Sequence, residues 1–203
     1  PETISSSSPS QFIINRARWN ATVNSSFTIY FSNNKLRMNT SPENSDGWLH
    51  DIISNYTFIA NNWFHIAIVR TINNDIIFYI NGIEDTRVNI GSFNFNSDRT
   101  LDIGTYRDNS NNGHSYFKGY MKNIRIVKNE ILYLSNFNLV SINSNNYSSI
   151  LNDNNLLYIP MNSNDKNVYS KLEIFTDNSE YNNNITSFNG VTHTINNKIS
   201  NSS

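Results

Sequence analysis

Short runs of β-branched and aromatic residues recur along the chain at intervals of about ten residues, and polar turns rich in asparagine separate them. A single helical turn is expected over Asn129–Leu134, and no other stretch has the period of a helix. The pattern predicts an all-β fold, a two-sheet antiparallel β-sandwich. The predicted strands are Gln11–Asn15, Ser26–Phe31, Lys35–Asn39, Trp48–Ile53, Trp63–Arg70, Asp75–Asn81, Arg87–Ile90, Thr100–Gly104 and Tyr116–Val127.

The clearest local signal is a pair of nearly continuous apolar runs, Trp63–Arg70 and Asp75–Asn81, joined by the short polar segment Thr71–Asn74. Such a pair predicts an antiparallel hairpin. Because the apolar residues do not alternate with polar ones, both strands are expected to be central and covered on both faces. Trp63 is expected to cap the core of this hairpin at its entry.

Composition limits the function more than it defines it. Hydrophobic residues make up 37% of the chain and aromatic residues 13%, enough to fill a core between two sheets. The net charge of −1 and the lack of a basic run argue against nucleic-acid binding. No apolar stretch approaches the roughly 20 residues that span a bilayer, so no membrane insertion is expected. Without cysteine the chain has no disulfides. Abundant asparagine suits an AT-rich genome as well as a sugar-binding surface.

Several ordered motifs resemble the laminin-G-like, concanavalin-A-like superfamily that is common in phage, giant-virus and bacterial surface proteins. In chain order they are Trp63-x-His65-x-Ala67-x-Val69-Arg70, Asn81-Gly82, Leu101–Gly104 and Phe117–Ile126. The resemblance implies a jelly-roll sandwich of the concanavalin-A-like type. It implies much less about function, because this fold carries lectins, adhesins, toxins, glucanases and structural modules.

The domain organisation follows from the motifs and the composition. We expect an irregular segment over residues 1–10, the laminin-G-like sandwich over 11–140 and an Asn/Ser-rich linker over 141–154. Residues 155–203 resemble the start of the same family's domain, and the strand that the family places ahead of Gln11 is not seen in the sequence. A chain cut from a tandem array and a sandwich completed by its C-terminal strands both suit this order, and the second is preferred because a lone strand would expose apolar surface. Asn155–Met161 is therefore expected to form a strand that completes the sandwich, in the same chain or in a neighbouring copy.

Catalytic chemistry is not expected. Glucanases of this fold carry three carboxylates on one strand as E-x-D-x-x-E, and no such run is present. Glu84 and Asp85 are adjacent, so on a strand they point to opposite faces. Asp98 and Asp102 are interpreted as turn acids. The histidines lack the spacing of a zinc site, and His65 is interpreted as a packed core residue. The chain is therefore expected not to be an enzyme.

The segment Thr105–Ser115 is the most site-like part of the sequence. An aromatic ring, amides and a carboxylate can together stack on a sugar and hydrogen-bond its hydroxyls. An ordinary hairpin loop is the simplest interpretation, and a contact with glycans or a partner is the second. A weak calcium loop from Asp108, Ser110 and Asn112 is the third. Trp48 is a further candidate for stacking, although it also suits the core. The candidate ligand-binding residues of the segment are Tyr106, Arg107, Asp108, Asn109, Asn112 and His114.

Together these features predict a non-catalytic structural or adhesion module of a virion surface, tail fibre or other extracellular assembly. Its expected partners are glycans or other protein subunits of that assembly. No cofactor is expected, with calcium as the exception to test. The alternative is an unusual or degraded glycoside hydrolase of the same fold. A toxin-type receptor-binding domain would need a trefoil repeat, and the sequence has none.

Overall fold

The structure is a computed structural model that describes residues 1, 9–19, 26–41, 47–92, 94–95, 99–108, 110, 112–139 and 155–159. Within these ranges the chain forms strands and turns and no helix, so Asn129–Leu134 is not helical there. No helix that could cross a membrane occurs among them. The strands are β1 (Gln11–Asn15), β2 (Arg18–Trp19), β3 (Phe27–Ser32), β4 (Lys35–Thr40), β5 (His50–Ile53), β6 (Ile66–Arg70), β7 (Asp75–Ile80), β8 (Ile83–Asn89), β9 (Asp102–Ile103), β10 (Tyr106–Asp108), β11 (Gly113–His114), β12 (Ile124–Val127) and β13 (Asn155–Ile159).

Two antiparallel sheets supply one hydrophobic core, as the strand pattern predicts. The larger sheet has the order β5-β4-β3-β1-β9, and the second has the order β6-β7-β8. Alternate residues of β3 and β4 point inward, and they meet alternate residues of β7. The fold is all-β, as the sequence predicts. The buried members of this core are Ile29, Phe31, Leu36, Met38, Ile52, Phe58, Ile76, Phe78, Ile80 and Ile90.

The predicted hairpin is present, with Ile66 opposite Ile80 and Arg70 opposite Ile76. Strand β7 is buried along nearly its whole length, whereas β6 is half-buried throughout. The expectation of cover on both faces therefore holds for β7 alone. Trp63 precedes β6 and is 53% exposed, so it is not buried, and its role as a cap on the hairpin core stays a prediction.

The segment predicted as a loop over residues 105–115 is partly strand. β10 pairs antiparallel with β11 and parallel with β2 in a small sheet of order β11-β10-β2. The short strand β9, which precedes β10 in sequence, pairs with β1, and Asp102 lies opposite Asn15. These pairings hold the candidate residues of the segment against one end of the larger sheet.

Among the described residues, 121–130 and 155–159 belong to a second compact unit. Its described strands, β12 and β13, pair antiparallel, with Ile124 opposite Ile159. Leu157, Tyr158 and Ile159 are buried. The strand predicted over Asn155–Met161 thus forms, over Asn155–Ile159. Its role in completing the sandwich stays a prediction, and the expected linker 141–154 lies outside the described residues.

Candidate functional site

A row of side chains crosses the face of the larger sheet that points away from the core. Phe12 of β1 lies opposite Tyr30 of β3, and Tyr30 lies opposite Arg37 of β4. The neighbours of Tyr30 in sequence, Ile29 and Phe31, belong to the core. Because successive residues of a strand point to opposite faces, Tyr30 and the residues paired with it lie on the other face.

Two rings, Tyr106 and His114, continue this row beyond the larger sheet, and we call Tyr30, Phe12, Tyr106 and His114 the aromatic strip. Tyr30 stacks on Phe12 with ring centroids 5.1 Å apart and an interplanar angle of 17°. Phe12 contacts Tyr106 at 4.8 Å, and Tyr106 stacks on His114 at 5.4 Å. The first three rings are half-buried and His114 is exposed, so the strip presents ring surface outward.

Arg37 covers one end of the strip. Its guanidinium carbon lies 6.0 Å from the centre of the Tyr30 ring, within the range of a cation–π contact. Its Nε donates to Oδ1 of Asp51 at 3.2 Å, and its NH2 group also contacts that carboxylate. The hydrogen bond to Asp51 raises the pKa of Arg37. Burial raises the pKa of the Tyr30 hydroxyl above its usual range, so this phenol stays a neutral donor.

Asp108 braces the opposite end. Its Oδ1 accepts the backbone N–H groups of Ser110 at 2.8 Å and Asn112 at 2.9 Å. Its Oδ2 lies 2.9 Å from Nε2 of His114 and 3.3 Å from the amide nitrogen of Asn112. These contacts, with His114 the largest contributor, lower the pKa of Asp108 to about 2. The ionised carboxylate therefore holds the turn together and fixes the ring of His114 beside Tyr106.

The same contacts bear on the calcium hypothesis. Both oxygens of Asp108 accept N–H donors, and a calcium ion would have to displace them. Ser110 and Asn112 approach Asp108 through nitrogen atoms. In the part of the chain that the structure describes, no group of three or more histidine or acidic side chains is placed to hold a metal. The calcium loop stays a prediction.

Arg107 and Asp102 form an ion pair beside the strip. Nε of Arg107 donates to Oδ1 of Asp102 at 2.7 Å, and the side chain of Asp102 is only 1% exposed. The amide of Asn15 lies 3.5 Å from Oδ2 of the same carboxylate. A buried carboxylate is costly unless it is paired and hydrogen-bonded. Arg107 therefore neutralises the charge of Asp102, and the buried carboxylate of Asp102 is not accessible to a ligand on the surface.

The structure thus unites part of the predicted site. Tyr106, Asp108, Asn112 and His114 come together around one end of the strip, whereas Arg107 turns to Asp102. Asn109 and Asp98 lie outside the described residues. Trp48 is 45% exposed just before β5, and takes no part in the ring contacts described for the strip.

The sequence did not predict three residues of this surface: Phe12, Tyr30 and Arg37. The alternation of a strand was their only signal. In β3 it is weak, because Ile29, Tyr30 and Phe31 are all apolar or aromatic and do not reveal which one faces outward. Their pairing became visible only with the order β4-β3-β1.

A comparison with protein families now identifies the fold. The family model described as the concanavalin A-like lectin/glucanases superfamily matches residues 3–132. The chain belongs to this superfamily. Searches of curated proteins and of solved structures gave no match. The matched range contains the whole aromatic strip, so the strip is part of the concanavalin A-like domain itself.

Proposed function

We propose that this concanavalin A-like protein is a non-catalytic surface module that binds glycans through the aromatic strip. The observation that supports it is the continuous series of rings from Tyr30 through Phe12 and Tyr106 to His114. Aromatic faces bury the apolar C–H face of a sugar ring at little cost in conformational entropy. A row of partly exposed rings on one side of a sheet suits an extended saccharide better than a single compact ligand.

Polar groups at the two ends complement the rings. The carboxylate of Asp51 lies beside Arg37 at one end, and Asp108 and Asn112 lie at the other. Ligand sites combine apolar surface with a few polar groups that fix orientation. Carboxylates and amides at the edge of the strip would accept and donate hydrogen bonds to sugar hydroxyls while the rings carry the stacking.

Hydrolysis is the competing function, and the ionisation of Asp108 and the arginine partners of the other nearby acids favour binding over it. Glycoside hydrolysis needs a carboxylic acid that is protonated near neutral pH and a second, ionised carboxylate. Asp108, with a pKa of about 2, is ionised at neutral pH and cannot act as the general acid. Asp51 is paired with Arg37, and Asp102 is buried against Arg107. Asp108 therefore does not fit the general-acid role, and the other two acids are each engaged by an arginine.

The resemblance of the sequence motifs to phage, giant-virus and bacterial surface proteins supports a place for this domain outside the cell. We propose a virion surface, a tail fibre or another extracellular assembly. Neighbouring protein subunits of that assembly would then be its second class of partner. An adhesion role follows if the strip faces the glycans of a host or of a neighbouring cell.

A glycan array provides the test. The chain and its variants Tyr30→Ala and Tyr106→Ala are applied with and without calcium, and Tyr120→Ala serves as the control, since Tyr120 is 49% exposed and lies outside the strip. We expect the chain and the control to bind the same saccharides and both strip variants to lose that binding. Binding that survives both strip substitutions, or no binding to any saccharide, would contradict the proposal. A signal that depends on calcium would instead favour the loop hypothesis at Asp108.

A further inference from the structure

Two Asn-Gly pairs lie in the described part of the chain, Asn81-Gly82 and Asn112-Gly113. An asparagine followed by glycine is chemically vulnerable, because glycine has no Cβ to keep its backbone nitrogen away from the preceding side-chain amide. Attack by that nitrogen closes a five-membered ring and expels ammonia. Whether this happens in a folded protein depends on how freely the two residues can approach each other.

At Asn112 the attacking nitrogen is not tied to the neighbouring strand, although Tyr116 packs against Gly113 and its hydroxyl donates to the Gly113 carbonyl at 3.0 Å. The backbone N–H of Asp108 donates to the carbonyl of Asn112 at 3.0 Å, so these two residues form a hydrogen-bonded pair. Hydrogen-bonded and non-hydrogen-bonded pairs alternate along an antiparallel ladder. The next pair, Arg107 with Gly113, is therefore a non-hydrogen-bonded pair. The N–H of Gly113 consequently points away from β10, towards the outer edge of the small sheet. Asn112 itself is exposed.

The side chain of Asn112 is also only lightly held. Its amide nitrogen contacts Oδ2 of Asp108 at 3.3 Å, which is longer than a usual hydrogen bond of this type. The carboxylate of Asp108 is shared with the imidazole of His114. A carboxylate and an imidazole thus lie beside the amide that would leave.

The backbone of both asparagines is hydrogen-bonded, but the side chain of Asn81 is held more firmly than that of Asn112. Its side-chain oxygen accepts the backbone N–H of His65 at 2.9 Å, and its own N–H donates to the carbonyl of His65 at 2.8 Å. The carbonyl of Gly82 accepts the N–H of Phe137 at 2.8 Å. A Cβ placed on Gly82 would lie 2.1 Å from the carbonyl oxygen of Phe137, which shows how closely that backbone approaches. Ring closure there would require the turn to break from both neighbours.

We infer that Asn112 is a site of spontaneous deamidation in the folded protein, and that Asn81 is protected. The nitrogen of Gly113 attacks Cγ of Asn112, the new C–N bond forms, and the bond to Nδ2 breaks with release of ammonia. The cyclic imide then takes up one water and opens at either carbonyl. The products are aspartate or isoaspartate, one amide and one water having become one carboxylate and ammonia.

This modification changes the loop that braces the aromatic strip. The amide donor to Asp108 is replaced by a second negative charge next to that carboxylate, and like charges at this distance repel. An isoaspartate also lengthens the backbone between β10 and β11. The loop contacts that hold His114 beside Tyr106 are therefore expected to loosen as the protein ages.

Peptide mapping tests the inference without any ligand, so its outcome is independent of the proposed glycan binding. The folded chain is incubated at mildly alkaline pH and digested with trypsin, which separates Asn81 from Asn112 because Arg87 and Arg107 lie between them. Fragment-ion spectra then locate the replacement of NH2 by OH. We expect modification at Asn112 to accumulate at several times the rate at Asn81.

Two controls complete the experiment. In concentrated urea the difference between the two sites should disappear, since both then behave as flexible Asn-Gly peptides. The variant Asn112→Gln should show no modification at that position, because its longer side chain disfavours the ring closure. Equal rates at both sites in the folded chain, or faster change at Asn81, would overturn the inference.

Discussion

Nε2 of His114 lies 2.9 Å from Oδ2 of Asp108, and this contact joins the last ring of the aromatic strip to the turn that carries it. The same carboxylate accepts the backbone N–H groups of Ser110 and Asn112. One ionised side chain thus organises both the shape of the turn and the position of a ring. The consequences can be measured through the titration of Asp108.

Acid should loosen this end of the domain. The pKa of Asp108 is lowered from 3.8 to about 2, so folding favours its ionised form. Its contribution to stability is present above the unfolded pKa and is lost as the pH falls from about 4 through about 2. We expect Asp108→Asn to remove this part of the acid dependence. Thermal unfolding of both proteins over this pH range is the measurement, and identical acid profiles would contradict the prediction.

His65 should make the domain sensitive to milder acid. Burial lowers its pKa below 6.5, and its Nδ1 atom is buried without a hydrogen-bond partner among the described residues. Its ring contacts Tyr133 and Phe137 edge-on. The unfolded chain therefore takes up a proton before the folded one, and stability falls as the pH drops below about 6.5. We expect His65→Gln to be less stable at neutral pH but to lose little more in this range, as measured by urea midpoints at several pH values. A variant with the same pH slope as the parent would show that another group is responsible.

Gly82 should resist substitution more than Gly91. Both have positive φ, 82° and 70°, so an alanine at either position carries a cost of about 1–2 kcal/mol from backbone conformation. At Gly82 the new Cβ would also meet the carbonyl oxygen of Phe137, whereas at Gly91 nothing lies within 4 Å. Gly82→Ala is therefore expected to lower the free energy of unfolding clearly more than Gly91→Ala. Chemical denaturation of the two variants makes the comparison, and equal losses would mean that Phe137 moves aside freely.

Pairing of β12 with β13 should be required for the full solubility and heat stability of the chain. Leu157 of β13 is buried opposite Ile126 of β12. A chain that ends at Asn152 leaves β12 without this partner and exposes a sheet edge, which favours aggregation. We expect it to be less soluble and less heat-stable than the full chain. Leu157→Asp in the full chain should have the same effect, since it buries an unpaired charge. A truncated chain as soluble, monomeric and heat-stable as the parent would show that β13 is dispensable.

The sequence by itself determined the fold class and the central hairpin. β-Branched and aromatic residues favour strands. The short polar segment Thr71–Asn74 between two apolar runs favours a hairpin turn. Strand pairing across such a short link is local. It therefore depends on neighbours in the sequence, and β6 and β7 formed as the pattern predicts.

Only the tertiary structure decided where the functional surface lies. Phe12, Tyr30 and Tyr106 come from three separate segments, and their contacts exist because β1 pairs with β3 while β10 follows the edge strand β9. The same long-range packing leaves Trp63 53% exposed and places Asp102 against Arg107. Alternation tells which residues share a face of a strand, but the partner sheet determines which of the two faces is buried.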